Sequence, residues 1–181
     1  MISPDWCRMM AAYNSEMNRR LYAAADGLDA STREADGGAF WGSIQGTLCH
    51  VLWGDTTWMS RFDAWEKPAV GMKQSPVMIT DWAELKARRM AADQKIEAWA
   101  AGLTAERLAA PLSWFSAMAG REMSLPLWIA VGHFFNHQTH HRGQAHALLT
   151  RAGAAPGDTD LPWVLDLEKL GLLPISGEEN P

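Results

Sequence analysis

Between about Leu125 and Arg151 the chain carries one long helical pattern, stopped by Gly153, whose apolar seam is interrupted by histidines. Four of the six histidines fall in His133-Phe-Phe-Asn136-His137-Gln-Thr-His140-His141-Arg142-Gly143-Gln144. With His133 at zero on a helical wheel, His137 lies at about 40° and His141 at about 80°, bracketing Ala130 and Leu148 at about 60°. The pair therefore sits on the face turned to a core, where an unpaired polar ring is costly. One buried histidine can be satisfied by a backbone carbonyl, whereas two stacked at i and i+4 call for a common partner. That spacing lets two neutral imidazoles reach one metal ion, with coincidence as the competing explanation. His140 and Gln144 flank the seam. His146 falls on the far side with Arg142 and Thr139, at solvent or a subunit contact.

Three further helical segments precede this one. The first runs from about Asp5 to Leu28 and ends at Gly27 and the polar cluster Asp29-Ala-Ser31-Thr32. After Gly37-Gly38 a second runs from Phe40 to Phe62, broken by Lys67-Pro68, Gly71 and Pro76. Thr80-Asp81-Trp82-Ala83-Glu84 is a capping signature for a third, ending at Gly102. Leu112–Ser116 and Arg121–Leu125 flank Ala119-Gly120 as a short β-hairpin would. A short helix from Leu161 to Leu170 follows, and the tail from Pro174 is expected to be loose. The pattern predicts an all-α four-helix bundle, residues 1–181 forming one domain, with a hairpin insertion and a short C-terminal helix. Such bundles build metal sites from facing side chains.

A third donor must come from elsewhere, and the one distant histidine is His50. Its neighbours on the same helical face, Ser43, Thr47, Gly54 and Thr57, are all small. Room beside an imidazole is what an open coordination position requires, although small residues also serve close helix packing. Asp55 projects about 140° from His50 and is expected at the surface or behind the ligands. Cys49 points about 100° away and reads as a packed thiol. Three imidazoles without a carboxylate suit Zn or Ni, admit Fe or Cu, and do not suit Mg or Ca.

Composition narrows the function. A formal charge of −5 argues against a nucleic-acid partner, which needs clustered cations to neutralise phosphates. Lys86, Arg88 and Arg89 are interleaved with Glu84, Asp93 and Glu97 and read as a solvated helix face. No stretch approaches the roughly 18 apolar residues of a membrane span. Cys7 and Cys49 are too few for a disulfide framework, and Met1–Trp6 lacks a signal-peptide pattern, so a cytoplasmic protein with reduced thiols is expected. Ten tryptophans point to a core or pocket walled with large rings.

The segments Thr47-Leu-Cys-His50-Val-Leu-Trp-Gly-Asp55-Thr-Thr-Trp58 and Asn136-His137-Gln-Thr-His-His141-Arg142-Gly143-Gln144 resemble the DinB/YfiT-like family of metal-binding four-helix proteins. The resemblance covers nearly the whole chain, and His-Arg-Gly-Gln at 141–144 is its most specific part. It implies an up-down-down-up bundle with a divalent metal on His50, His137 and His141, no ligand role for His133 or His140, and frequent pairing into homodimers. It also implies kinship with transferases and isomerases that use low-molecular-weight thiols such as mycothiol or bacillithiol.

Two roles are open for Arg142, an ion-pair partner positioning its helix or a plain surface residue. Gly143 either permits close helix contact or lies on the surface. Gln144 is a candidate to orient a ligand. Asn14 and Asn18 would line the pocket or a solvated face, and Phe135 and Thr139 an outward dimer face. Three functions follow: a metal-dependent transferase placing a thiol on a small-molecule electrophile, a metal-dependent hydrolase that wants a carboxylate base, and a non-enzymatic stress-response module with a structural metal.

Overall fold

The computed structural model describes residues 1–117 and 119–173. Its elements are α1 (Pro4–Asp26), α2 (Ala30–Glu34), α3 (Ile44–Phe62), a 3-10 helix (Met72–Val77), α4 (Trp82–Ala101), α5 (Ala105–Ala109), β1 (Pro111–Ser116), β2 (Arg121–Pro126), α6 (Leu127–Arg151) and α7 (Leu161–Val164). The chain is mostly helical, with one two-stranded sheet among the described residues. The tail from Pro174 lies outside them.

Caps set the helix starts. Ser3, Asp29, Ser43, Asp81 and Thr104 each accept a first-turn backbone N–H, which contributes about 1 kcal/mol apiece. Ser43 starts α3 later than the expected Phe40, because Gly42 at φ 75° turns the chain immediately before it. That tight loop, closed by Gly37 N–H donating to the Gly42 carbonyl at 3.0 Å, leaves Trp41 outside the helix. The expected hairpin is present, with Leu112 opposite Leu125 and Trp114 opposite Met123. Because Leu125 and Pro126 end β2, α6 starts at Leu127. The C-terminal helix is shorter than expected: Leu165 turns extended, and a separate turn closes at Gly171.

Four helices long enough to form a core pack as a ring, α1 against α4 and α6, and α3 against α6 and α4. Two apolar clusters fill it. One joins Cys7 and Ala11 of α1, Met59 and Phe62 of α3, Ile96 and Ala100 of α4, and the start of α6 through Phe135. The other joins Leu21 and Ala25, Ile44 and Leu48, Leu85 and Ala92, and Ala145 through Leu149. Chain order through them is the same for α1 and α6 and reversed for α3 and α4.

Between the clusters lies a buried polar layer to which all four helices contribute. Arg89 donates to Asp55 at 2.5 Å and pairs with Asp93 at 2.8 Å, all three side chains being buried. Gln138 donates to the other Asp55 oxygen at 2.7 Å, and Asn18 to Asp93 at 2.9 Å. Arg142 donates to Asn14, whose amide reaches Asp93 at 3.4 Å.

This layer corrects several expectations. Arg89 and Asp93 are not on a solvated face: they share the inward stripe of α4 with Leu85, Ile96 and Ala100, and enter the core as each other's counter-charges. Asp55 is neither at the surface nor behind the ligands. It lies on the core stripe of α3 with Leu48, Leu52 and Met59. Asn14 and Asn18 line neither a site nor solvent but hold Asp93. Phe135, expected on an outward dimer face, is 1% exposed and meets Trp6 edge-on.

Replacing Arg89 by Met strands two buried carboxylates and should cost about 3–5 kcal/mol at pH 7 in denaturant titrations. Burial already raises the Asp55 carboxyl and pushes Asp93 up to about 6, with Arg89 pulling both down. Without that cation both rise further, so the folded variant binds protons that the unfolded chain releases. Its stability deficit relative to the parent should therefore shrink from pH 7 to pH 5.

Candidate metal centre

His50 on α3 and His137 and His141 on α6 converge across the α3–α6 contact, each offering a ring nitrogen within 4.8 Å of the others'. His50 is 1% exposed, His141 is buried, and His137 is half-buried. His50 Nε2 lies 3.3 Å from His137 Nε2. A zinc tetrahedron with Zn–N bonds of roughly 2.0–2.1 Å has edges of about 3.3 Å, so this pair already stands at ligand spacing.

Gly54 allows the approach. A Cβ there would lie 2.8 Å from His137 Cε1. The small residues around His50 do not leave empty space as expected: the ring of His137 occupies the place above Gly54, and the Trp41 ring stacks on His50 at 3.9 Å between centroids. Trp53 stacks on His50 as well, at 5.6 Å, and anchors the following loop by donating to the Val70 carbonyl. Ser43 and Thr47 spend their hydroxyls on the first turn of α3.

Hydrogen bonds fix the tautomers of two of these histidines. Ser75 on the 3-10 helix donates its proton to the Met72 carbonyl at 2.6 Å, so at 2.7 Å from His50 Nδ1 it acts as acceptor. His50 is thereby Nδ1-protonated, with the Nε2 lone pair turned toward His137. His141 Nδ1 lies 2.8 Å from Gln144 Oε1, another acceptor, which leaves its Nε2 lone pair free. This is how metal-ligating imidazoles are commonly oriented. Burial lowers the pKa of all three rings, to about 3 for His50 and about 4 for His137, with mutual repulsion as the next cause at these two. All three are neutral at pH 7, the form that binds metal.

The other sequence candidates divide. Gln144, a candidate to orient a ligand, is hydrogen-bonded to His141. His133 packs edge-on against Trp58 and His140 sits at the rim, 3.3 Å from the Gln144 amide. His146 is away from the cluster and donates to the Gly157 carbonyl at 3.0 Å. Arg142 is buried without a carboxylate in ion-pair range among the described residues, and Gly143 faces open space rather than a helix. Cys49 is a packed thiol as expected, and Cys7 is free and buried too. Sequence reasoning missed Ser75 and Trp41. Ser75 lies in what read as a loop, and no spacing signal links it to His50. Trp41 lies in a turn that read as helix.

A helical bundle whose core presents three neutral imidazoles, two with fixed tautomers, belongs to the class of candidate divalent-metal proteins. The chain matches the family model described as "DinB family" over residues 4–179, and it is a member of that family. No curated protein and no solved structure matches it. No described helix is long and apolar enough to cross a membrane.

Two outcomes are expected. Ser75→Ala, which frees the His50 ring to turn, should weaken zinc binding about 10–100-fold in a competition titration. In the metal-free protein the three histidines bind protons less readily folded than unfolded. Its stability, present above the unfolded histidine pKa of about 6.5, should fall as pH drops from 6.5 toward 4, as followed by thermal melts.

Proposed function

We propose that the chain is a metal-dependent enzyme that holds a divalent ion, zinc or nickel, on His50, His137 and His141, with iron as a further fit, and uses it to present a low-molecular-weight thiol to a small-molecule electrophile. The carrying observation is the donor set: three neutral imidazoles, no carboxylate, and lone pairs directed by Ser75 and Gln144. An ion held by three neutral ligands keeps its full positive charge and lowers the pKa of a thiol or water brought to it.

The remaining tasks fall to the protein. Trp41 and Trp53 wall the cluster on the His50 side. The Trp41 indole N–H is buried without a partner among the described residues, which makes it a donor for a bound substrate. A hydrolase would want a carboxylate base at the cluster. The nearest in sequence, Asp55, is spent on Arg89 and Gln138, and this favours the thiol reading over hydrolysis. The opposed chain directions of α1 and α6 against α3 and α4 support reading the bundle as up-down-down-up. We place the protein in the cytoplasm and take it to pair as a homodimer, as the resemblance implies.

The test is titration of the cobalt-loaded protein with cysteine, dithiothreitol and bacillithiol. A thiolate–cobalt absorption band should appear with at least one thiol and be absent from the His137→Ala variant. A cobalt spectrum that no thiol perturbs contradicts the thiol reading.

A further inference from the structure

Away from the histidine cluster a cavity of about 300 Å³ opens between α1, α6 and the segment Gly157–Thr159, at the lower end of the range for small-molecule sites. Three side chains hold that segment in place by its successive carbonyls. His146 donates to Gly157 at 3.0 Å, Arg20 to Asp158 at 3.5 Å, and Tyr13 to Thr159 at 2.6 Å. The cavity wall is largely apolar, with Met17, Leu21 and Ala147 among its residues, and it includes no carboxylate among the described residues.

Among the described residues one arginine lines it, and its setting is unusual. Arg142 is 4% exposed, donates to Asn14 and to Thr139 at 3.4 Å, and stands 5.7 Å from the Tyr13 ring. The other arginine at comparable depth, Arg89, is held by two carboxylates. Arg142 has none within ion-pair distance among the described residues, yet a buried guanidinium gains most from a planar, charge-assisted partner. Gly143 also lines the cavity, and a Cβ there would meet nothing within 4 Å, so the adjoining space is open to a ligand.

We propose that this cavity binds a small carboxylate with an apolar body, its charge taken by Arg142 and its body lying against Met17, Leu21 and Ala147. The site is separate from the histidine cluster and does not depend on a metal there.

Benzoate is a suitable probe, titrated into the metal-free full-length chain by calorimetry or by protein-detected NMR, with neutral benzamide as control. Benzoate should bind saturably, one per chain, about tenfold or more tighter than benzamide, because only the anion makes a charge-assisted contact. Binding should persist in the His50→Ala, His137→Ala variant, which removes the competing cluster. Gly143→Leu fills the cavity from a position with free space, so it should fold with parental helicity and lose benzoate binding. Arg142→Gln, where it folds, should lose it too. Unsaturable binding, equal binding of benzamide, loss in the His50→Ala, His137→Ala variant, or parental affinity in folded Gly143→Leu would each overturn the proposal.

Discussion

The contact on which the arrangement depends is the buried grip of Arg89 on Asp55 and Asp93. A guanidinium between two carboxylates cannot slide along a helix as an apolar side chain can, since any shift strands a charge in a medium that does not solvate it. Asp55 passes that constraint to α6 by accepting from Gln138. One residue before each, Gly54 and His137 make the close approach that brings α6 to the face of α3 bearing His50. The polar layer thus sets the register in which the histidines meet, although none of its members belongs to the cluster.

Around that register the cluster is built with little freedom. The ring of His50 is stacked against Trp41 and Trp53 and tied at Nδ1 to Ser75, so its Nε2 has one direction to face. His141 is tied at Nδ1 to Gln144 from the same helix, one turn on. Burial disfavours the charged imidazolium at all three rings, with repulsion between the rings adding to it at His50 and His137, so the cluster presents three neutral nitrogens suited to a shared cation.

Much of this was legible in the chain. The i,i+4 pair His137 and His141 on an apolar seam, and the lone distant His50, named the cluster because helical geometry alone places such residues on one face. Gln144 followed from the same wheel. What stayed hidden was whatever depends on the partner helix. Arg89 and Asp93 looked solvated because charge normally marks the outer face, and only the presence of Asp55 opposite makes the inward choice stable. Applied strictly, the wheel would have found them, since they share a stripe with Leu85, Ile96 and Ala100. Ser75 and Trp41 come from connecting segments, where no periodicity reports direction. Gly54 read as empty space because a sequence does not show which side chain fills the gap that a glycine leaves.

The most direct test of the account is elemental analysis of the purified, untagged protein beside a His50→Ala, His137→Ala variant. The account predicts about one zinc or nickel per chain in the parent and its loss in the variant, with the helical signal of both retained. A parent that holds no metal after incubation with excess zinc or nickel would contradict it, leaving the three histidines as polar members of a helical core.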